Sequence, residues 1–180
     1  GLGIVALYPV KDGKLDPARL VLLPGHDDQV RALDFSSDGK LLAAAGGKTG
    51  RGGQIIVWDT TTHQPLRTIS AHKDNILDVA FSPDNTLIAT ASYDKHVMIF
   101  SVADGATRND FTDHVDAVYA LAFSPDGKYL ATGAGDRTVK LWDVAEGKRL
   151  ITFSDAAKNV NAVAFSPDSR RVAVFHMPSI

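Results

Sequence analysis

The chain has 180 residues, 44% hydrophobic and 22% charged, enough for one sizeable core or for a segment of a repeat array. Its 19 basic residues are interspersed among 21 acidic ones for a formal net charge of −2, so no basic stripe is available to follow a nucleic-acid backbone. The absence of cysteine removes disulfides, thiolate catalysis and cysteine-ligated zinc, and no apolar run approaches the roughly 18 residues of a membrane span. No signal peptide is visible. The first residue is Gly1 rather than Met, so the chain reads as an excised piece, and nothing fixes its compartment, the cytoplasm being slightly favoured over the periplasm.

In chain order, the predicted elements are short strands. Ile4–Tyr8 and Leu20–Leu23 come first, followed by Val30–Phe35, Leu41–Ala45, Gln54–Trp58 and Leu66–Ile69, all rich in β-formers and separated by turn residues. The Gly-rich stretch Gly46–Gly53 interrupts this run and is expected to be a mobile loop between two strands, with anion contact by Lys48 and Arg51 as a minor reading. A phosphate-binding loop would need the spacing G-x-x-x-x-G-K-[ST] ahead of a helix, and a strand follows here. Further on, Leu121–Phe123 and Tyr129–Thr132 are apolar on both sides, as in sheets packed face to face. Val160–Phe165 and Arg171–Phe175 close the list, and no segment carries a helical period over ten residues.

The strands repeat. Segments starting at Val30, Ile76, Val118 and Val160 align on Phe35, Phe81, Phe123 and Phe165, at intervals of 46, 42 and 42 residues. The longer first interval contains the Gly-rich stretch. Trp58, Phe100 and Trp142 follow the same register, as do His26, His72 and His114. The turn Ser124–Gly127 explains the punctuation: Pro125 presets φ, Asp126 bonds back to the backbone and Gly127 accepts a positive φ. Asn85 and Ser169 take the glycine position in the sister turns, Ser169 as the weaker substitute.

Four short strands per unit of about 42 residues match one propeller blade. The units resemble WD repeats, on Gly25-His26 with Trp58-Asp59, Ala71-His72 with Phe100-Ser101, and Asp113-His114 with Trp142-Asp143. The resemblance implies an all-β β-propeller of four-stranded antiparallel blades: the end of a preceding blade (1–25), three repeats (26–71, 72–113, 114–155) and the start of a fourth (156–180). Such a chain is part of a larger ring, or its two end halves join into a fourth blade and close a small one. The clean Ser-Pro-Asp turns and the Gly-rich insertion are similar to bacterial WD-repeat arrays.

Three histidines in register raise the question of a metal site, but equivalent positions on successive sheets are too far apart to share one ion. The resemblance implies instead a hydrogen-bonded structural tetrad of histidine, hydroxyl, turn aspartate and tryptophan. His114, Thr132, Asp136 and Trp142 complete it. His72, Thr90 and Asp94 keep three members beside Phe100, and His26 and Trp58 remain with Ala44 at the hydroxyl position. The fourth unit has Ala156 in place of histidine. The resemblance also implies a partner-binding face at positions following the histidine and preceding the turn aspartate. There Arg31, Leu77, Tyr93, Tyr119 and Asn161 are the candidates, with Arg31, Tyr93 and Tyr119 the types that most often carry binding energy.

No nucleophile elbow or ordered calcium-ligand pattern is present; Asp27, Asp28, Asp110, Asp113 and Asp116 read as loop carboxylates. The expectation is a non-catalytic protein–protein interaction scaffold, without cofactor or metal, binding a protein or peptide. Two alternatives stand beside it: a regulatory propeller domain of a larger bacterial enzyme or redox protein, and a propeller hydrolase with a metal in its channel. The last would need polar residues converging on the axis, where Asp34 and Asp78 are isolated exceptions among Val, Ala, Leu and Ile.

Overall fold

A computed structural model describes residues 3–176. Among them there is no α-helix, and the strands form three four-stranded and three two-stranded antiparallel sheets. The first sheet pairs β1 (Gly3–Leu7) with β4 (Val21–His26). Between them lies an excursion the sequence reading missed, a small hairpin of β2 (Val10–Lys11) and β3 (Lys14–Leu15) with a 3-10 turn at Pro17–Arg19. Asp12 and Gly13 turn this hairpin with φ of 52° and 72°, the positive values its two-residue loop requires.

The three complete sheets each run from an edge strand through two central strands to the opposite edge. They are β5 (Gln29–Phe35), β6 (Leu41–Lys48), β7 (Gly52–Asp59) and β8 (Pro65–His72), then β9 (Ile76–Phe81), β10 (Leu87–Ser92), β11 (Val97–Ser101) and β12 (Thr107–Phe111). The third comprises β13 (Val118–Phe123), β14 (Tyr129–Ala134), β15 (Val139–Asp143) and β16 (Lys148–Phe153). The last sheet pairs β17 (Val160–Phe165) with β18 (Val172–His176). β1–β4 and β17–β18 are separate two-stranded sheets. The first strands β5, β9, β13 and β17 pack one against the next.

Period-two alternation builds the core. Leu42 and Ala44 of β6, with Ile56 and Trp58 of β7, face Val5 and Leu23 of the first sheet. Their neighbours Ala43, Ala45, Ile55 and Val57 turn the other way onto Ile76, Val79, Phe81 and Phe100. A third cluster joins Ile99 and Phe111 of the second complete sheet to Leu121, Leu130 and Trp142 of the third. Central strands are therefore buried on both faces, and each large buried side chain stabilises the stack by about 1.5–3 kcal/mol. Phe111 stacks on Trp142 with ring centroids 4.3 Å apart. The exposed large apolar residues include Leu33 and Phe35 on β5, Phe153 on β16 and Phe175 on β18.

One expectation about local structure is corrected. Gly46–Gly53 is not mainly a loop, because the β6–β7 ladder continues through it to the pair Lys48–Gly52. Only Thr49–Arg51 remain as the turn. The glycines serve close approach rather than mobility: a Cβ on Gly46 would collide with the Gln29 carbonyl, and one on Gly53 with the Asp74 carbonyl and the Ile76 side chain.

The punctuating turns form as the residues dictate. Ser124 Oγ donates to Asp126 Oδ1 at 2.6 Å and accepts from Tyr129 N at 2.9 Å, while Gly127 has φ 72°. Asn85 and Ser169 hold the same conformation at 61° and 58°. Their side chains have a second use, since Asn85 Oδ1 accepts from Ser37 N and Ser169 Oγ accepts from Asp126 N, tying turns of adjacent sheets together.

Candidate functional site

Two sets of residues were singled out by sequence, and the fold places them differently. The hydrogen-bonded set of the third repeat is continuous. Trp142 Nε1 donates to Thr132 Oγ1 at 2.9 Å, Thr132 Oγ1 lies 2.8 Å from His114 Nε2, and His114 Nδ1 lies 2.8 Å from Asp136 Oδ2. With a carboxylate on Nδ1, that nitrogen carries the proton and Nε2 accepts the threonine hydroxyl hydrogen, so every group has one role. His114 is fully buried, and burial lowers its pKa below the usual 6.5 against the opposing pull of Asp136, which favours the neutral ring. Burial would raise the Asp136 carboxyl, but hydrogen bonds from Thr138 and His114 outweigh it and hold it below the carboxylate range.

The second repeat keeps part of this chain. His72 Nε2 is 2.8 Å from Thr90 Oγ1, and Nδ1 is 3.0 Å from Asp94, which also accepts from Lys73 N at 2.8 Å. Burial works against the Asp94 carboxylate, yet the His72 contacts and backbone donors hold its pKa well below normal. Phe100 contributes no donor, so Thr90 Oγ1 receives no counterpart to the Trp142 hydrogen bond; its hydroxyl also lies 3.4 Å from the Met98 carbonyl.

In the first repeat the fold brings only His26 and Trp58 together, with ring centroids 5.8 Å apart. Ala44 offers no hydroxyl, and Nε2 of His26 is buried without a hydrogen-bond partner. Burial lowers the His26 pKa, opposed by the Ala44 backbone and the charge of Asp27.

The second set occupies one recurring structural position. Pairing between first and second strands skips a residue at the same place in all four repeats: Arg31 between Val30 and Ala32, Leu77 between Ile76 and Asp78, Tyr119 between Val118 and Ala120, and Asn161 between Val160 and Ala162. Each is the extra residue of a β-bulge, a device that re-aims a side chain away from the ladder. Arg31 and Asn161 are exposed, while Leu77 and Tyr119 are half-buried. Tyr93, 42% exposed in the turn after β10, meets Tyr119 of the next sheet edge-to-face at 6.2 Å between centroids. Burial raises the Tyr119 pKa, with Tyr93 and Asp116 adding to the rise. The bulges were not visible in the sequence, although the shared spacing from each phenylalanine was.

Asp34 and Asp78, the polar exceptions on the first strands, each reach the next sheet. Asp34 accepts from Phe81 N at 2.7 Å, and Asp78 accepts from Leu121 N at 2.9 Å. Burial raises both carboxyls, Asp78 to about 6 with a contribution from Asp34. Among the described residues no group of three His, Asp or Glu side chains is placed to hold a metal ion, and no helix is long and apolar enough to cross a membrane.

Radially packed four-stranded sheets with a recurring His–Thr–Asp set define a β-propeller segment. The chain belongs to the WD-repeat family: the family described as "WD domain, G-beta repeat" matches residues 18–59, 63–101, 105–143 and 147–174. It is similar to Protein hir-1 of Neurospora crassa and Protein HIR1 of Gibberella zeae, 34% identical to each over 94 residues. It is also similar to Protein hir1 of Emericella nidulans, 35% identical over 91 residues. The matches cover about half of this chain, 51%, 51% and 49%, but only 9%, 9% and 8% of those relatives. These relatives are fungal, which overturns the expected affinity with bacterial WD-repeat arrays and removes the support for a domain of a bacterial enzyme. Membership of this family supports a protein-interaction scaffold.

Proposed function

We propose that this segment is a non-catalytic scaffold that captures a protein or peptide on the face built by Arg31, Leu77, Tyr93, Tyr119 and Asn161. The observation that carries the reading is the β-bulge repeated at one position of four successive first strands. A ladder that breaks at the same place in every blade presents a row of side chains on one end of the stack, and the Tyr93–Tyr119 pair links two blades within that row. Tyrosine and arginine are the types most often found at the energetic centres of interfaces.

The buried His–Thr–Asp sets of the second and third repeats then hold blades in shape: His72 and His114 each sit between a threonine hydroxyl and an aspartate, 5% exposed or less. Repeat boundaries at 26–71, 72–113 and 114–155 follow from this assignment, and the flanking two-stranded sheets are halves of blades in a larger ring. A hydrolase reading loses its two axial carboxylates, because Asp34 and Asp78 are engaged by backbone N–H groups of the neighbouring blade.

The test is a triple substitution, Arg31→Ala, Tyr93→Ala and Tyr119→Ala. Circular dichroism and the melting transition stay close to wild type, whereas a partner retained by the wild-type chain on an affinity resin is lost. Equal retention by both chains rules this face out as the capture surface.

A further inference from the structure

The first repeat departs from its sisters in a way that leaves a polar hollow. In the second and third repeats a turn aspartate fills the space beside the histidine, receiving Nδ1 and the backbone N–H of the following residue: Asp94 with His72 and Lys73, Asp136 with His114 and Val115. In the first repeat the β6–β7 hairpin extends outward to the pair Lys48–Gly52, and among the described residues no carboxylate hydrogen-bonds His26. What remains is a pocket of about 410 Å³ between β4, β7 and β8, with His26, Gln54, Lys48 and Arg51 in its wall. That volume is within the range of small-molecule sites.

Two features distinguish this hollow from a packing gap. Gln54 Oε1 is buried and lacks a hydrogen-bond partner, a condition that ordinarily costs about 1–3 kcal/mol, and among the described residues no carboxylate meets His26 on the Nδ1 side, where the sister aspartates sit. Lys48 and Arg51 stand exposed at its rim without an ion pair among the described residues. The turn that carries them is fixed, since Gly50 N donates to Asp74 Oδ1 at 3.0 Å and Arg51 N to the Lys48 carbonyl at 2.9 Å. Asp27 and Asp28 also line the wall, so two cations and two carboxylates surround the space.

We propose that this pocket binds a small organic carboxylate that also bears a hydrogen-bond donor, an α-amino or α-hydroxy acid. Its carboxylate stands in for the missing turn aspartate, beside His26 and within reach of the Lys48 and Arg51 charges. Its amino or hydroxyl group supplies the donor that Gln54 Oε1 lacks, and an ammonium group is further favoured by Asp27 and Asp28. The template is internal to the molecule, because the two sister repeats hold a carboxylate in this setting with the chain's own aspartates.

The experiment is a titration of the 180-residue chain with L-serine, lactate, acetate and inorganic phosphate, followed by imidazole nitrogen NMR of His26 and by calorimetry. Serine and lactate shift the His26 resonances saturably and bind at least tenfold more tightly than acetate. The double variant Lys48→Ala, Arg51→Ala loses that binding tenfold or more, with an unchanged circular dichroism spectrum. Gln54→Leu reduces the preference for serine and lactate over acetate, a readout that does not depend on the rim cations. Absence of a His26 shift with every acid, phosphate binding as tightly as serine, or undiminished binding by the double variant would each overturn the assignment.

Discussion

The hydroxyl at the centre of each His–Thr–Asp chain is the point where the repeats can be compared quantitatively. Thr132→Val keeps the shape of the side chain and removes one oxygen. That oxygen serves two buried nitrogens, His114 Nε2 at 2.8 Å and Trp142 Nε1 at 2.9 Å. Leaving a buried polar group unsatisfied costs about 1–3 kcal/mol, so stranding both nitrogens is expected to destabilise by about 2–6 kcal/mol. The same change at Thr90 strands only His72 Nε2, because Phe100 has no donor and the Met98 contact is long at 3.4 Å. Its expected cost is about 1–3 kcal/mol. The difference between the two variants isolates the indole bond. Urea unfolding at pH 7.5, followed by circular dichroism and compared at constant m-value, measures both. Equal losses, or a larger loss for Thr90→Val, would refute the claim that the tryptophan donor is what distinguishes the third repeat.

Three further outcomes follow from the same geometry. Trp142→Ala leaves a cavity beside Phe111 and is expected to cost about 3–5 kcal/mol, read from the urea midpoint; no measurable change would displace Trp142 from the core. Asp78 has its folded pKa raised from 3.8 to about 6, so its contribution is present below pH 3.8 and is lost as the pH rises to about 6. Asp78→Asn therefore gains on wild type between pH 3.5 and pH 7.5 by up to about 3 kcal/mol, whatever constant cost the lost Val79 bond imposes, and parallel pH profiles would contradict this. Ser169→Gly relieves a positive φ but cuts the bond from Asp126 N, so its effect on stability is expected within about 1 kcal/mol of zero, and a larger gain in midpoint would show that the inter-blade bond contributes nothing.

What could be read from residues alone was local or periodic. Ser-Pro-Asp-Gly turns are specified within four residues, and the apolar runs Leu121–Phe123 and Tyr129–Thr132 already mark strands covered on both faces. Less legible were features whose cause lies on another strand. Gly46 and Gly53 look like loop glycines until the Gln29 and Asp74 carbonyls are in place, and only then are they seen to be required by a ladder. Asn85 and Ser169 look like imperfect glycines, whereas their side chains accept hydrogen bonds from, respectively, the turn before and the turn of the third repeat. The bulges at Arg31, Leu77, Tyr119 and Asn161 are a matter of pairing, which no single strand records.

The first repeat differs from its sisters in chemistry as well as in sequence. A repeat array stabilises each blade through its own turns and its contacts with the next, so one blade can lose an internal network while its neighbours keep theirs. The first repeat has given up the hydroxyl at Ala44 and the turn carboxylate, yet it retains His26 and Trp58 in a core with Leu42 and Ile56. Hydrophobic burial on both faces of β6 and β7 maintains the blade without the polar chain. His26 therefore stands outside the structural chain that His72 and His114 still form.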